Sequence, residues 1–203
     1  MPTKPHYDSH QLDDLVLKMM ETELGGEQVY RSALACALHP SLKKEWQNYL
    51  QETLAHQEVV RGICDALGVD PDQQTPGRQV VRHIGESLVK AMELARQAGN
   101  PAAAQLVACE CVVHAETKDH ANWELLGKVA RVATGDVGHT LKAAHKAVEK
   151  DEDRHRYHTK GWCRELALEA LGLPAVLPPP EEVKKVESAV AASRTEQQRA
   201  SML

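Results

Sequence analysis

The sequence contains no phenylalanine, and aromatic residues make up only 3% of its 203 residues, so a hydrophobic core must be mainly aliphatic. No run of about 18 apolar residues is present, which argues against a membrane-spanning helix. The N-terminus shows no apolar signal-peptide core. The net charge of −5 lacks the positive excess expected of a protein that binds nucleic acid or an anionic membrane. We therefore expect a soluble cytoplasmic protein of single-domain size.

The spacing of the cysteines suggests no disulfide framework. The five cysteines form an odd, scattered set, each within a helical pattern: Cys36, Cys64, Cys109, Cys111 and Cys163. We interpret them as reduced thiols in the core of a cytoplasmic protein. Cys109 and Cys111 lie two positions apart on a helix and point in different directions, which makes them a poor zinc pair.

Proline and glycine, in contrast, are placed where helices would begin and end. Breaks occur at HPS (39–41), LGVDPD (67–72), GNP (99–101) and TGD (134–136), and no stretch alternates as a strand does. The spacing predicts an all-α protein with two antiparallel hairpins of long helices, joined by a crossover that carries its own helix. Residues 1–173 form this bundle, and residues 174–203 form a proline-rich linker with a terminal helix or tail.

Several polar residues interrupt the apolar faces of the four long helices. Their positions lie 16–20 residues from the break in the middle of each hairpin, which in antiparallel helices means equal depth: Glu23, His56, Glu116, Glu152 and His155. An unpaired carboxylate or imidazole in a core costs several kcal/mol. These side chains therefore need partners, and the shared depth predicts that they are partners of one another. Glu52 lies just beside the apolar face of the second helix, and His120 lies on the same face as Glu116.

Carboxylates and imidazoles that converge inside a four-helix bundle are typical of di-iron and di-manganese centres. Carboxylates bridge two cations and offset their charge, and neutral imidazoles leave open positions for O₂, peroxide or water. Glu152-x-x-His155 is the Glu-x-x-His element that such centres use. The sequence thus predicts a site for two metal ions, iron in the first place and manganese or zinc as alternatives.

Four segments carry a resemblance to the ferritin-like superfamily: LKKEWQNYLQETLAHQEVVRGICDALG (42–68), VKAMELA (89–95), VVHAETKDHANWELL (112–126) and AVEKDEDRH (147–155). More narrowly, the chain resembles the bacterial stress-associated ferritin-like proteins of the YciE and YciF type. ETELGGEQVYRSAL (21–34) is similar to the first helix of rubrerythrin and ferritin, with a Glu seven residues before a Tyr. Together these segments cover most of residues 12–171.

The resemblance implies a ferritin-like antiparallel four-helix bundle with an extra helix in the crossover and a C-terminal extension. It implies metal ligands on all four long helices: Glu23, Glu52, His56, Glu116, Glu152 and His155, with His120 as an extra candidate. Thr53 stands where a strict Glu-x-x-His pair would need Glu, so Glu52 has to reach inward from the flank of its helix. Tyr30 is the candidate catalytic side chain, as a donor of an electron or a hydrogen bond.

The activity implied is ferroxidase or peroxide-stress chemistry, or O₂-dependent oxidation of an organic substrate if a pocket admits one. Such bundles commonly pair, so a homodimer is the expected assembly. The alternative from another class is a metal-free helical bundle that serves as an oligomerisation or protein-interaction module. In that alternative the buried charges would satisfy one another.

Overall fold

The computed structural model describes residues 7–203, and within this range the chain is helical with no β-strand. Five long helices account for most of it: α1 (Ser9–Leu34), α2 (Pro40–Leu67), α3 (Pro76–Gln97), α4 (Pro101–Val132) and α5 (Gly135–Ala170). Two short α-helices and a 3₁₀ helix follow: α6 (Pro180–Val183), α7 (Ala189–Gln198) and Arg199–Met202. The prediction of an all-α helical bundle is confirmed.

Polar caps start the helices at most of the predicted positions. The side chains of Asp8, Thr75 and Asn100 each accept hydrogen bonds from backbone N–H groups in the first turn of α1, α3 and α4, which satisfies donors that have no partner inside the helix. Helix α2 begins at Pro40, within the HPS break, and the side chain of His39 accepts a hydrogen bond from the Ser41 N–H group. Helix α1 ends at Leu34, and α5 ends at Ala170, three residues before the predicted end of the bundle at residue 173.

The four longest helices surround a common interior. Helix α1 packs against α2 and α4, α5 packs against α2 and α4, and α3 lies across α1 and α4. The C-terminal half of α1 shares a hydrophobic cluster with the N-terminal half of α2, and the N-terminal half of α4 shares it with the C-terminal half of α5. This distribution means that α1 and α2 run antiparallel, as do α4 and α5.

Two separate hydrophobic clusters fill the bundle. One contains Trp46 and Trp162, and the other contains Trp123 together with aliphatic residues such as Met19 and Leu141. All three tryptophans are fully buried. The remainder of the core is mainly aliphatic. Between the two clusters, α1, α2, α4 and α5 each carry a stretch of polar side chains, which hydrophobic residues therefore cover on both sides.

A buried ion pair attaches α3 to α1. The Arg78 Nε atom donates to Glu21 at 2.6 Å, and both side chains are almost completely buried. Arg78 also donates to the carbonyl oxygens of Pro71 and Gln73, while Arg82 contacts the same carboxylate from a more exposed position. Burial alone would raise the pKa of Glu21, but the opposite effect of Arg82 and Arg78 is larger, so the pKa lies below its usual value.

Replacing Arg78 by Ala should destabilise the protein by about 3 kcal/mol, since removing one partner of a buried pair leaves an uncompensated charge. Urea unfolding of the variant beside the wild type measures the loss. The matched variant Arg82→Ala should cost clearly less, because its guanidinium is exposed to solvent and exposed pairs contribute little. Equal losses for the two variants would contradict a special role for the buried guanidinium.

The C-terminal segment, for which the sequence left a helix or a tail open, packs against α5. Arg164 donates to both carboxylate oxygens of Glu181 at 2.7 and 2.9 Å, and Arg199 donates to the fully buried Glu165 at 2.6 Å. The Nε2 atom of His158 lies 3.1 Å from the carbonyl oxygen of Val186. These contacts join residues 174–203 to the outer face of α5.

Two predictions, on the cysteines and on membrane-spanning helices, can be checked in the part of the chain that the structure describes. All five cysteines are free, four of them buried and Cys163 half-buried, as expected for core thiols. No helix among residues 7–203 is both long enough and apolar enough to cross a membrane.

Candidate metal centre

The polar layer between the two hydrophobic clusters brings together residues from all four long helices. Five of the predicted site residues meet there, and each side chain is at most 4% exposed: Glu23, His56, Glu116, Glu152 and His155. The helical period carries each of them inward, and their matched distances from the hairpin turns place them at one depth. This is the layer that counting along the sequence predicts.

Within this layer the side chains form two trios that share Glu152. In the first trio, the Nδ1 atom of His56 lies 3.1 Å from Glu152 Oε1 and 3.8 Å from Glu23 Oε1. In the second trio, the Nδ1 atom of His155 lies 3.5 Å from Glu116 Oε2 and 3.9 Å from Glu152 Oε1. The potential ligand atoms of each trio all lie within 4.8 Å of one another. Each trio therefore has the dimensions needed to hold one cation.

The carboxylates of the trios are only half satisfied by the protein. Glu23 Oε1 accepts a hydrogen bond from Trp123 Nε1 at 3.1 Å, and Glu116 Oε1 accepts one from the Tyr30 hydroxyl at 2.7 Å. The Oε2 atoms of Glu23, Glu116 and Glu152 are buried and have no hydrogen-bond partner. Buried polar atoms almost always have partners, so three orphaned carboxylate oxygens in one layer fit a site built for cations.

The pKa values of the buried groups also fit a site built for cations. Burial raises the pKa of Glu23 well above its usual range, and the nearby carboxylates of Asp119 and Glu152 add to the effect. Burial also raises the pKa of Glu152, against the lowering effect of His56. Burial alone would lower the pKa of His155, but the carboxylates of Glu116 and Glu52 raise it to about 10. Bound cations would reverse the carboxylate shifts, because they favour the ionised form.

Both histidines present the same ring nitrogen to the centre and the other to a carboxylate outside it. The Nε2 atom of His155 donates to Glu52 Oε2 at 2.7 Å, and the Nε2 atom of His56 lies 3.5 Å from Asp151 Oδ2. An ionised carboxylate only accepts hydrogen bonds, so it favours the tautomer with hydrogen on Nε2. The carboxylate partners keep the pKa of His155 at about 10, so the ring must first lose its second proton. The proton that leaves is then the one on Nδ1, whose lone pair becomes free for a metal ion, as in the carboxylate–histidine pairs of known metal sites.

Two of the predicted ligands lie outside both trios. Glu52 stands behind His155 and is also bonded to Arg154 at 2.6 Å, so it supports a histidine and does not complete a trio. His120 has both ring nitrogens occupied, Nε2 by Asp153 at 2.8 Å and Nδ1 by Arg156 at 2.9 Å. Five of the seven predicted ligands therefore converge in the layer, and these two lie beside it.

One functional candidate was missed by the sequence reading. Asp119 is 6% exposed, its Oδ1 atom has no hydrogen-bond partner, and burial together with the charges of Glu152 and Glu116 raises its pKa well above the usual range. It follows Glu116 by three residues, the same spacing that separates His155 from Glu152. That repeated spacing was the available signal.

Comparison of the chain with protein-family models, with curated proteins and with solved structures finds no match. Assignment of a class therefore has to rest on the geometry of the bundle and of its polar layer.

Proposed function

We propose that this protein is a ferritin-like di-metal protein whose bundle holds two ions, iron in the first place, at the layer shared by α1, α2, α4 and α5. The observation that carries the proposal is the pair of trios with Glu152 in common and with a buried, partnerless oxygen on each carboxylate. A mixed set of carboxylates and imidazoles suits iron, manganese and zinc. A bridging carboxylate between two such positions is the pattern of di-iron bundles.

In this proposal each residue has a distinct task. Glu23 and His56 hold one ion, Glu116 and His155 hold the other, and Glu152 binds both. Trp123 and Tyr30 keep one oxygen of Glu23 and of Glu116 in place through the hydrogen bonds described above. The hydrophobic clusters above and below exclude bulk water, which strengthens every charge interaction inside the layer.

An iron pair would supply one-electron redox changes and open positions for O₂ or peroxide. Tyr30 remains the candidate catalytic residue, because its hydroxyl already donates to Glu116 and lies next to where an oxidant would react. A cleft of about 490 Å³ between α2, α5 and residues 182–187 reaches Glu52 and Tyr49. The Tyr49 ring lies against His155 at an interplanar angle of 37°, with centroids 4.1 Å apart. This cleft is the proposed route of entry for a small oxidant.

The reaction class is tested by loading metal-free protein with about two Fe(II) per chain without oxygen and then mixing it with O₂ or with hydrogen peroxide. Bound Fe(II) should be oxidised much faster than Fe(II) in buffer, and the faster of the two oxidants identifies the natural one. His155→Ala should remove the acceleration, whereas Tyr30→Phe should leave iron bound and slow its oxidation. Oxidation of bound Fe(II) no faster than in buffer would contradict the proposal.

The expected homodimer stays a prediction that sedimentation can check.

A further inference from the structure

A single guanidinium connects the outer sides of both histidines. One terminal nitrogen of Arg154 (NH2) donates to Glu52 Oε1 at 2.6 Å and to Asp151 Oδ1 at 2.9 Å. The second oxygen of each carboxylate faces a histidine, Glu52 Oε2 towards His155 and Asp151 Oδ2 towards His56. Arg154 thus stands at the centre of two chains of contacts, one for each trio. The chain to His155 is hydrogen-bonded throughout, whereas the one to His56 ends in a longer contact of 3.5 Å.

The carboxylates of the two chains come from different helices, and both chains end in the same polar layer. Glu52 belongs to α2, whereas Asp151 and Arg154 belong to α5. The two imidazole rings are themselves stacked, with centroids 5.8 Å apart and an interplanar angle of 27°. Rotation of the guanidinium would release both carboxylates at once. These carboxylates are the groups that face the Nε2 atoms of the two rings and favour hydrogen there.

We propose that Arg154 is a positioning residue that holds His56 and His155 together in the orientation and tautomer that present both Nδ1 atoms to the metal ions. This inference rests on the proposed function, because it assigns a role toward ions that the two trios hold. It goes further in stating that the two metal positions are linked through one side chain outside them. Outer partners of metal-binding histidines typically change metal affinity by about 10- to 100-fold when they are removed.

Arg154 has the properties that such a role requires. Its side chain is 25% exposed, so the guanidinium reaches the edge of the cleft between α2 and α5 without pointing into the layer. Its carbon at the centre of the guanidinium lies 5.9 Å from the centroid of the Tyr49 ring, which holds the group over an aromatic face. A guanidinium stays charged at every working pH, so the two carboxylates keep a cationic partner throughout.

The test uses Co(II) titration of the metal-free wild type and of five variants. Arg154→Met should weaken both binding steps by about 10- to 100-fold, whereas Asp151→Asn and Glu52→Gln should each weaken mainly one step. Arg154→Lys keeps the charge and donors without the planar geometry, and should restore part of the loss. The matched control is Arg156→Met, two residues further along α5, whose guanidinium bonds to His120 outside both trios and which should bind as wild type.

A second measurement separates positioning from general damage to the fold. In the Zn(II)-loaded wild type, ¹⁵N spectra of the histidine rings should show His56 and His155 with hydrogen on Nε2 and metal on Nδ1. In Arg154→Met at saturating Zn(II), both signals should shift or broaden, while the helical circular dichroism stays unchanged.

The outcomes separate this inference from the proposed function. If wild type binds no Co(II) or Zn(II), both fail. If wild type binds two ions and Arg154→Met equals Arg156→Met in both titration and ring spectra, only the role of Arg154 fails. A loss confined to one of the two binding steps in Arg154→Met would also overturn the claim that one arginine serves both histidines.

Discussion

Replacing Glu152 by Ala is expected to abolish the binding of both metal ions, whereas replacing Glu23 by Ala should weaken only one. The reason is that Glu152 belongs to both trios and Glu23 to the first alone. Losing a shared carboxylate removes a ligand and a negative charge from each ion. Co(II) titration of the metal-free proteins measures the effect as the number of ions bound per chain and the affinity of each step.

The matched control for this experiment lies one turn earlier on the same helix. Glu149 is well exposed and pairs with His145 on the surface, so Glu149→Ala should bind both ions as wild type does. Thermal unfolding of the metal-free variants shows whether each protein is folded before metal is added. Retention of one tight ion in Glu152→Ala would show that the carboxylate is not shared.

Metal binding should release at least about one proton per chain at pH 7, because His155 holds a proton in the metal-free protein and the raised pKa of Glu23 adds to the release. Burial and neighbouring carboxylates raise the pKa of Glu23 well above its usual range, and the pKa of His155 is about 10 after its carboxylate partners offset the effect of burial. Both groups must lose a proton to act as ligands. The apparent affinity should therefore rise with pH, roughly tenfold per pH unit for each proton released.

Calorimetric titration of Co(II) in buffers with different ionisation enthalpies counts the released protons directly. In His155→Ala the count should fall by about one, since the variant lacks one group that must deprotonate. Glu149→Ala again serves as the control and should release as many protons as wild type. An affinity that does not change between pH 6 and pH 8 would contradict the assignment of these buried groups as ligands.

The helical period explains how much of the centre could be predicted. Glu23, Glu116 and Glu152 lie on core-facing stripes, and their equal distance from the hairpin turns needs only 1.5 Å per residue and antiparallel packing. Both are local properties of the sequence. The layer of five residues follows from them without knowledge of any contact between helices.

The choice between Asp119 and His120 could not be made in the same way. The two residues follow Glu116 by three and four positions, so they flank its direction on either side of the helix at similar angles. Which one turns inward depends on how α4 rotates against its neighbours, and the structure turns Asp119 toward the layer and His120 toward Asp153. The rotation of a helix about its own axis depends on tertiary packing, and the apolar stripe of one helix does not specify it.

The role of Glu52 was beyond prediction for a related reason. The side chain lies on the flank of α2, and its orientation is set by Arg154 and His155, which arrive from α5 about a hundred residues later in the chain. The resemblance to ferritin-like proteins assigned Glu52 to the metal as the carboxylate that accompanies His56, although Thr53 occupies the strict Glu-x-x-His position. The structure gives it the outer side of the other histidine.

The most direct test of the account is the metal content of the protein purified from iron-supplemented medium, measured by elemental analysis beside the Glu152→Ala/His155→Ala double variant. The account predicts about two ions per chain in the wild type and none in the double variant. Wild-type protein that contains no metal and takes up none on titration, with a double variant that folds equally well, would contradict it. The bundle would then be a metal-free structural or interaction module.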